Sequence, residues 1–587
     1  MKSFFKTMFA SLLGFFLGIL IIFGIFAIII GGIIGSASKT PSVKANTVLE
    51  LKLNGGVPER MEENPFAALA GGHEIDGVVG LNKIIAGIKH AAKDKNIKGI
   101  YVRCDLYTGG LATADEIRNQ LIAFRKTGKF VYSYSEVLTD GGYLIASACD
   151  KVYLNPKGVL EFNGFAGQVM FYKGMLDKLG VQMEVFKAGK YKGAVEPFIQ
   201  NQLSEPNRQQ IKAYVDESFG FHIHSIAKSR NMDSQSLANI ANKFLARNAK
   251  KALEYKLVDG LKYQDEVEEE IKTKLGLKKA DKYKPMAFAA YVQTDMEDEY
   301  SADKIAVIYA NGEINMGKNE SSDGIGSESL ASTLKKARLD KNVKAIVLRV
   351  NSPGGSSNAS DIIAREIEIC RKVKPVIVSF SNVAASGGYY IACLGDSIFA
   401  YPNSITGSIG VFAIVPNTEK LYKDKLGLSF ETVPTGEFSV GWRPDQPISP
   451  GMRTYFQEMV NDIYVDFVGI VAKGRKLDTA TVGALAQGHV YTGRTAKTLG
   501  LVDGFGGIDR AIQSAAWKAK LKTYRIVEMP NLKSPLEQLF GRDNMVSMQE
   551  TALKAQFGEW FETAKRMQKL STYGGVQMRM PWDIKVD

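Results

Sequence analysis

Three short stretches carry residues able to act together on a carbonyl carbon. In Val383-Ala384-Ala385-Ser386-Gly387-Gly388-Tyr389-Tyr390 a serine sits among small residues, just after the strand-like run Val376-Ile377-Val378-Ser379-Phe380. A serine on such a strand-to-helix turn can expose its hydroxyl, and the next amide can point at whatever the hydroxyl attacks. Asn351-Ser352-Pro353-Gly354-Gly355 follows the apolar strand 345–350. Two glycines there let backbone N–H groups turn toward a carbonyl oxygen, and with the Gly387 amide they form a candidate oxyanion hole. Gly189-Lys190-Tyr191-Lys192-Gly193-Ala194-Val195 places a lysine ahead of apolar residues. Burial that lowers a lysine pKa from ~10.4 toward ~7–8 makes it a base for a serine. Taken singly, the three stretches also fit a tight turn, a strand-end turn and an exposed loop lysine.

Histidine is the usual partner of a nucleophilic serine, but the five here make a poor case. His73 lies in a loop-like stretch, His90 on a helix pattern, and His489 before a Val-Tyr-Thr strand fragment. Of the remaining two, His222 falls opposite a phenylalanine and His224 opposite Gly469 in the internal repeat described next, so nothing hints at a shared role. There is no zinc-ligand spacing, no phosphate-loop pattern and no basic-aromatic array, so neither metal, nucleotide cofactor nor nucleic acid is expected. The net charge of +12 is scattered among acids, which suits mild attraction to anionic lipid headgroups better. Cys104, Cys149, Cys370 and Cys393 lie in apolar surroundings without close pairing, as buried small hydrophobes do.

An internal repeat ties the stretches together. Asp94-Lys95-Asn96-Ile97-Lys98-Gly99-Ile100 matches Asp340-Lys341-Asn342-Val343-Lys344-Ala345-Ile346, 246 positions later. The offset holds without a gap through Arg103/Arg349, Gly109/Gly355, Gly141/Gly387, Tyr143/Tyr389, Asp150/Asp396 and Gly164/Gly410. A period this long means tandem related domains rather than a solenoid. The copies differ where chemistry would sit. Asp140 stands opposite Ser386, and after a one-residue insertion Ser439 stands opposite Lys192. His222 falls opposite Phe467, a packing position. One half keeps a serine and the other a lysine, as two decayed copies sharing one active centre would.

The elements that must position these residues follow from the rest of the chain. Residues 8–35 contain no charge and are rich in Phe, Leu and Ile. That exceeds the ~20 residues a bilayer-spanning helix needs and the ~7–15 of a signal-peptide core. Strands then alternate with helical segments from Val48-Leu49-Glu50-Leu51 onward, the pattern of an α/β fold. We expect an anchor and stalk over 1–45, a domain over 46–280 supplying the lysine, and a junction over 281–300. A second domain over 301–530 supplies the serine. The extension 531–587 is Met-rich, polar and helical at best, with no assigned chemistry.

Ser-Pro-Gly-Gly after one strand and Ala-Ser-Gly-Gly-Tyr after the next resemble the catalytic core of the Clp-protease/crotonase superfamily. The duplication, Gly-Lys-Tyr-Lys-Gly-Ala-Val-Glu-Pro-Phe and the N-terminal apolar run narrow the resemblance to the long form of the signal peptide peptidase A family, over roughly 46–525. The resemblance implies two tandem crotonase-like domains behind one transmembrane helix, and a serine endopeptidase with a Ser/Lys dyad that needs no metal or nucleotide. By motif it makes Ser386 the nucleophile, Lys192 the base, Gly355 and Gly387 the oxyanion-hole residues, and Ser408, in Thr406-Gly407-Ser408-Ile409-Gly410, the residue orienting the lysine. It further implies remnant signal peptides as substrates, a homo-oligomer (tetramer favoured), and a bacterial inner-membrane location with the body facing the periplasm. The alternatives are a related membrane protease acting on a specific membrane protein, an acyl-CoA enzyme of crotonase type, and a catalytically silent membrane scaffold.

Overall fold

Runs of β-branched residues flanked by helical segments build parallel sheets buried on both faces, and this happens twice. The computed structural model describes residues 2–37, 41–61, 79–278, 280–294, 301–319, 324–532 and 576–580, with isolated positions 553, 556 and 561. The first half holds a six-stranded parallel sheet in the order Gly260–Leu261, Lys151–Leu160, Phe130–Leu138, Ile97–Arg103, Thr47–Lys52, Met286–Ala287. In the second half Val343–Ser352 lies between Lys304–Asn311 and Val376–Ala385, all parallel, within an eight-stranded sheet. Met286–Ala287 pairs with the first sheet, and Phe288 and Tyr291 are buried in its core. Part of the expected junction is thus built into the first half, because those few apolar residues find a sheet edge to cover.

The same fasteners recur in each half. Arg125 binds Asp150 as Arg371 binds Asp396, at 2.6 and 3.1 Å. The hydroxyl of Tyr143 donates to Leu257 O, and that of Tyr389 to Leu501 O. Lys129 ties Ala91 O and Asp94 O, and Lys374 ties Ala337 O and Asp340 O. These are the contacts a duplicated unit keeps after most of its surface has diverged. All four cysteines are free and buried.

Two devices lock the halves to one another. The strand Gln182–Ala188 leaves the first half and pairs antiparallel with Val411–Asn417 of the second over seven residue pairs. Arg349, buried in the second half, binds Glu59 at 2.7 Å and Glu116 at 2.7 Å, both from the first. Burial works against that charge, but the two carboxylates outweigh it and hold the guanidinium above its ordinary value. A third sheet runs Gly324–Gly326, Glu313–Asn315, Gly354–Ser356, Gln577–Arg579, Val411–Asn417, Gln182–Ala188. Its fourth strand comes from the extension expected to be helical at best.

The N-terminal apolar run forms one helix, Lys2–Ala37, with Phe9, Leu13, Phe15 and Leu20 exposed. Among the described residues no helix is long and apolar enough to cross a membrane. Side chains of position 23 and of all positions beyond 24 in that run lie outside the described set.

Candidate active site

Ser386 follows the strand Val376–Ala385 and caps the short helix Gly387–Ala392, at φ 55° and ψ −117°. A non-glycine residue holds positive φ only when its surroundings over-determine it. Here its N–H donates to Gly407 O and its carbonyl accepts the Tyr390 N–H, both at 2.8 Å. The two following glycines are required by space. A Cβ on Gly387 would stand 2.7 Å from Ser360 Oγ, and one on Gly388 2.6 Å from Ser352 O.

Lys192 reaches the serine from the other half. The strand Gln182–Ala188 delivers the chain to Gly189, whose φ of 105° turns it toward the second half. The Tyr191 N–H then donates to Gln487 O at 2.9 Å. Lys192 Nζ lies 2.8 Å from Ser386 Oγ and donates to Ser408 O and Oγ, each at 3.0 Å. All three side chains are fully buried. Burial is the dominant influence on the amine and lowers its pKa well below the ordinary lysine range. Ser408 holds φ 52°, with its N–H donating to His489 O at 2.6 Å.

Sequence reasoning missed Gln210. On the helix Glu205–Arg230, its Nε2 donates to Tyr191 O at 3.0 Å and its Oε1 accepts the Val490 N–H at 2.9 Å. One side chain therefore clamps the lysine loop to the strand Val490–Thr492 of the other half. No motif surrounds Gln210, so only its place on the first long helix after the lysine loop could have drawn attention.

Gly355 lies opposite Met578 in an antiparallel ladder between Gly354–Ser356 and Gln577–Arg579. Met580 N–H donates to Pro353 O at 2.7 Å, and Ser357 N–H donates to Val576 O at 3.3 Å. Hydrogen-bonded pairs alternate along such a ladder, so the Gly355–Met578 pair between them is also of that kind, and the Gly355 N–H donates to Met578 O. The same oxygen lies 3.0 Å from where a Gly387 Cβ would stand. Gly387 opens its helix, so its N–H has no partner within it. Gly355 and Gly387 therefore flank one peptide carbonyl.

The first half offers no second copy of this arrangement. Asp140 is buried at the start of the helix Asp140–Ala146, with its carboxylate 3.3 Å from His222 Nε2. That contact is close in distance but lacks hydrogen-bond geometry. His222 also packs against the rings of Phe162 and Phe165. His90 meets Tyr291, and His489 meets Val490 O between the rings of Tyr191 and Tyr491. His73 lies outside the described residues. Ser439, opposite Lys192 in the repeat, sits in an exposed turn.

A neutral amine at this distance from a hydroxyl can accept its proton, and two converging amides can hold a developing oxyanion. The arrangement is equipped for acyl transfer. Comparison with known proteins points the same way. The chain matches Peptidase family S49 twice, over residues 123–278 and 368–522. It is 36% identical to "Protease 4" of Salmonella typhi over 460 residues, 76% of this chain and 72% of that protein. "Protease 4" of Haemophilus influenzae is 32% identical, with 81% and 80% covered. "Serine protease SPPA, chloroplastic" of Arabidopsis thaliana is 29% identical, with 85% and 73% covered.

Proposed function

Because the chain belongs to peptidase family S49 and is a serine peptidase, we propose that it is a membrane-anchored endopeptidase that degrades remnant signal peptides with a Ser386/Lys192 dyad. Lys192 Nζ takes the hydroxyl proton as Ser386 Oγ attacks the peptide carbonyl. The Gly355 and Gly387 amides receive the oxyanion, and Ser408 holds the amine on line. The ammonium gives its proton to the leaving amine. A water deprotonated by the same lysine then hydrolyses the ester, freeing the serine and a new carboxylate. The observation that carries this reading is the 2.8 Å approach of Lys192 to Ser386 from opposite halves of the chain. "Putative signal peptide peptidase SppA" of Enterococcus faecium, 37% identical over 240 residues, supports the substrate class.

The 28 uncharged residues from 8 to 35 support an anchor; in this reading a crotonase-type body lies on the periplasmic side of a bacterial inner membrane. Protease added to spheroplasts then digests the body; protection until lysis reverses the topology. A homo-oligomer is supported by two orphaned segments. Residues 429–435, the repeat counterpart of Gln182–Ala188, and 165–171, the counterpart of Val411–Asn417, form no strand ladder. Pairing 429–435 of one chain with 165–171 of the next repeats the contact already made inside the chain. A head-to-tail contact makes a ring where the rotation between neighbours closes, and a closed tetramer is the form we propose.

The test is incubation of the full chain in lipid vesicles with a synthetic signal peptide, with fragments identified by mass. Fragmentation by the wild type and none by Ser386→Ala is the expected result. An intact signal peptide beside selective cutting of one membrane protein would favour the narrower protease.

A further inference from the structure

In each half the parallel strands start at one end and finish at the other, and Ser386 lies at a finishing end, after Val376–Ala385. The starting ends carry lysines. Lys95 and Lys98 stand at the start of Ile97–Arg103, and Lys126 just before Phe130–Leu138. The repeat keeps all three: Lys341 and Lys344 stand at the start of Val343–Ser352, and Lys372 just before Val376–Ala385. All six are exposed, and among the described residues only Lys344 has an ion-pair partner, Asp303 at 3.5 Å. The nearby carboxylates are engaged elsewhere. Asp94 and Asp340 accept the N–H groups of Asn96 and Asn342, while Asp150 and Asp396 hold Arg125 and Arg371. Apolar side chains stand among the lysines of the second half. Leu339 ends the helix before Val343–Ser352, Val373 precedes Val376–Ala385, and Trp517 lies in the last turn of Ile508–Lys518; they are 62%, 61% and 77% exposed. Lys520 and Lys522 follow Trp517 at once. The apolar helix Lys2–Ala37 enters the first half at its starting end, where Thr47–Lys52 begins parallel to Ile97–Arg103. Residues 38–46 between them reach at most ~30 Å.

We propose that the strand-start ends of the two halves are a footing that rests on an anionic phospholipid surface. The retained lysines take headgroup phosphates, and Trp517, Leu339 and Val373 enter the interface. The inference rests on the membrane-anchored reading above and adds to it a face, a lipid charge and the residues that meet it. Lysine heads reach phosphate while their stems lie along apolar surface, and tryptophan favours headgroup level. In a ring whose inter-chain contact repeats the one inside the chain, successive halves follow by one rotation, so these ends share one height along the axis. The dyad then stands up to a strand's length, ~30 Å, from the headgroups. A peptide must leave the bilayer to be cut.

The test places the full chain in vesicles of phosphatidylcholine, with or without about one-third phosphatidylglycerol, an anionic content high enough for lysines to act. Asn96→Cys and Asn342→Cys each carry a fluorophore, the four native cysteines being buried, and a nitroxide on the lipid headgroup is the quencher. Ser439→Cys is the control. Its turn packs against the start of the helix Pro450–Arg475, and Arg475 at the far end binds Asp503, next to the start of Gly504–Phe505. Labels at 96 and 342 should be quenched in anionic vesicles and released by 1 M salt, which cuts the screening length to ~3 Å; the label at 439 should stay bright. Each lysine near an anionic surface is worth about 5-fold in partition. The quadruple substitution Lys95→Glu, Lys126→Glu, Lys341→Glu and Lys372→Glu should therefore weaken the contact by more than ~100-fold and abolish the quenching, with melting and cleavage of a short soluble peptide unchanged. No quenching at either reporter, equal quenching in neutral vesicles, or quenching that survives the quadruple substitution would overturn the footing. Flotation separates this from the anchor. Chains that float with both vesicle types yet show no quenching keep the anchor and lose the footing; chains that float only with anionic vesicles keep the footing and lose the anchor.

Discussion

The buried amine of Lys192 has a measurable cost. Its folded pKa lies well below the ordinary value because of burial, so between the two values the unfolded chain binds a proton that the folded chain does not. Stability then rises with pH across that window and is lost as pH falls through the folded pKa, by about 1.4 kcal/mol for each pH unit that separates the two values. Lys192→Met keeps the volume and removes the titration. It should be inactive yet more stable than Ser386→Ala in urea at pH 7, with the gap closing toward pH 10; a constant gap would mean that the lysine does not titrate abnormally. Gly488 tests position. A Cβ there would stand 2.7 Å from Lys192 N and 2.8 Å from its Cα, at φ 79°. Gly488→Ala should lower kcat by ~100-fold with little change in KM, the cost of moving a catalytic group by about 1 Å. Ser386 and Lys192 were legible in the sequence because each survives where its repeat partner does not. Ser408 was legible only through family resemblance, since nothing in Thr-Gly-Ser-Ile-Gly marks its hydroxyl as facing an amine.

Sheet strands and helices were readable from alternating apolar runs, but not which half each would join. Gln182–Ala188 reads as an ordinary strand; that it pairs with Val411–Asn417 across the repeat depends on edges that local pattern does not encode. Gln577–Arg579 was missed for a related reason. Three residues, Gln-Met-Arg, carry no periodicity, and only a pre-existing gap between two strands makes them one. Gln210 shows the same limit on a helix, where a polar residue facing inward differs from a solvated one only by its partners. Gln210→Leu leaves the Val490 N–H unpaired and takes one of two donors from Tyr191 O, which keeps the Gly193 N–H, at about 1–3 kcal/mol. It should lower both the melting temperature and kcat while leaving KM near its original value. Unchanged kcat in a destabilised chain would reduce Gln210 to a structural role.

At the scale of the whole molecule, the duplication explains why one chain of two similar halves has one centre. The halves are joined by a strand, a buried Arg349 network and the lysine loop, so that neither is complete alone. The unused counterparts point outward: Phe430 and Val433 in 429–435 are exposed, Val433 by 90%. The double substitution Phe430→Asp and Val433→Asp should break the proposed homo-oligomer into monomers in sedimentation while leaving the contact between Lys192 and Ser386 formed. An unaltered sedimentation coefficient would place the assembly contact elsewhere. The central claim is that Lys192 of one half activates Ser386 of the other. The most direct measurement is the rate of Ser386 acylation by a fluorophosphonate across pH, in wild type and in Lys192→Ala, with folding of both verified. The wild-type rate should climb along a limb lying below the ordinary lysine pKa, and Lys192→Ala should be slower by ~10²–10⁴-fold with that limb gone. Equal rates sharing one pH limb in both chains would contradict the account.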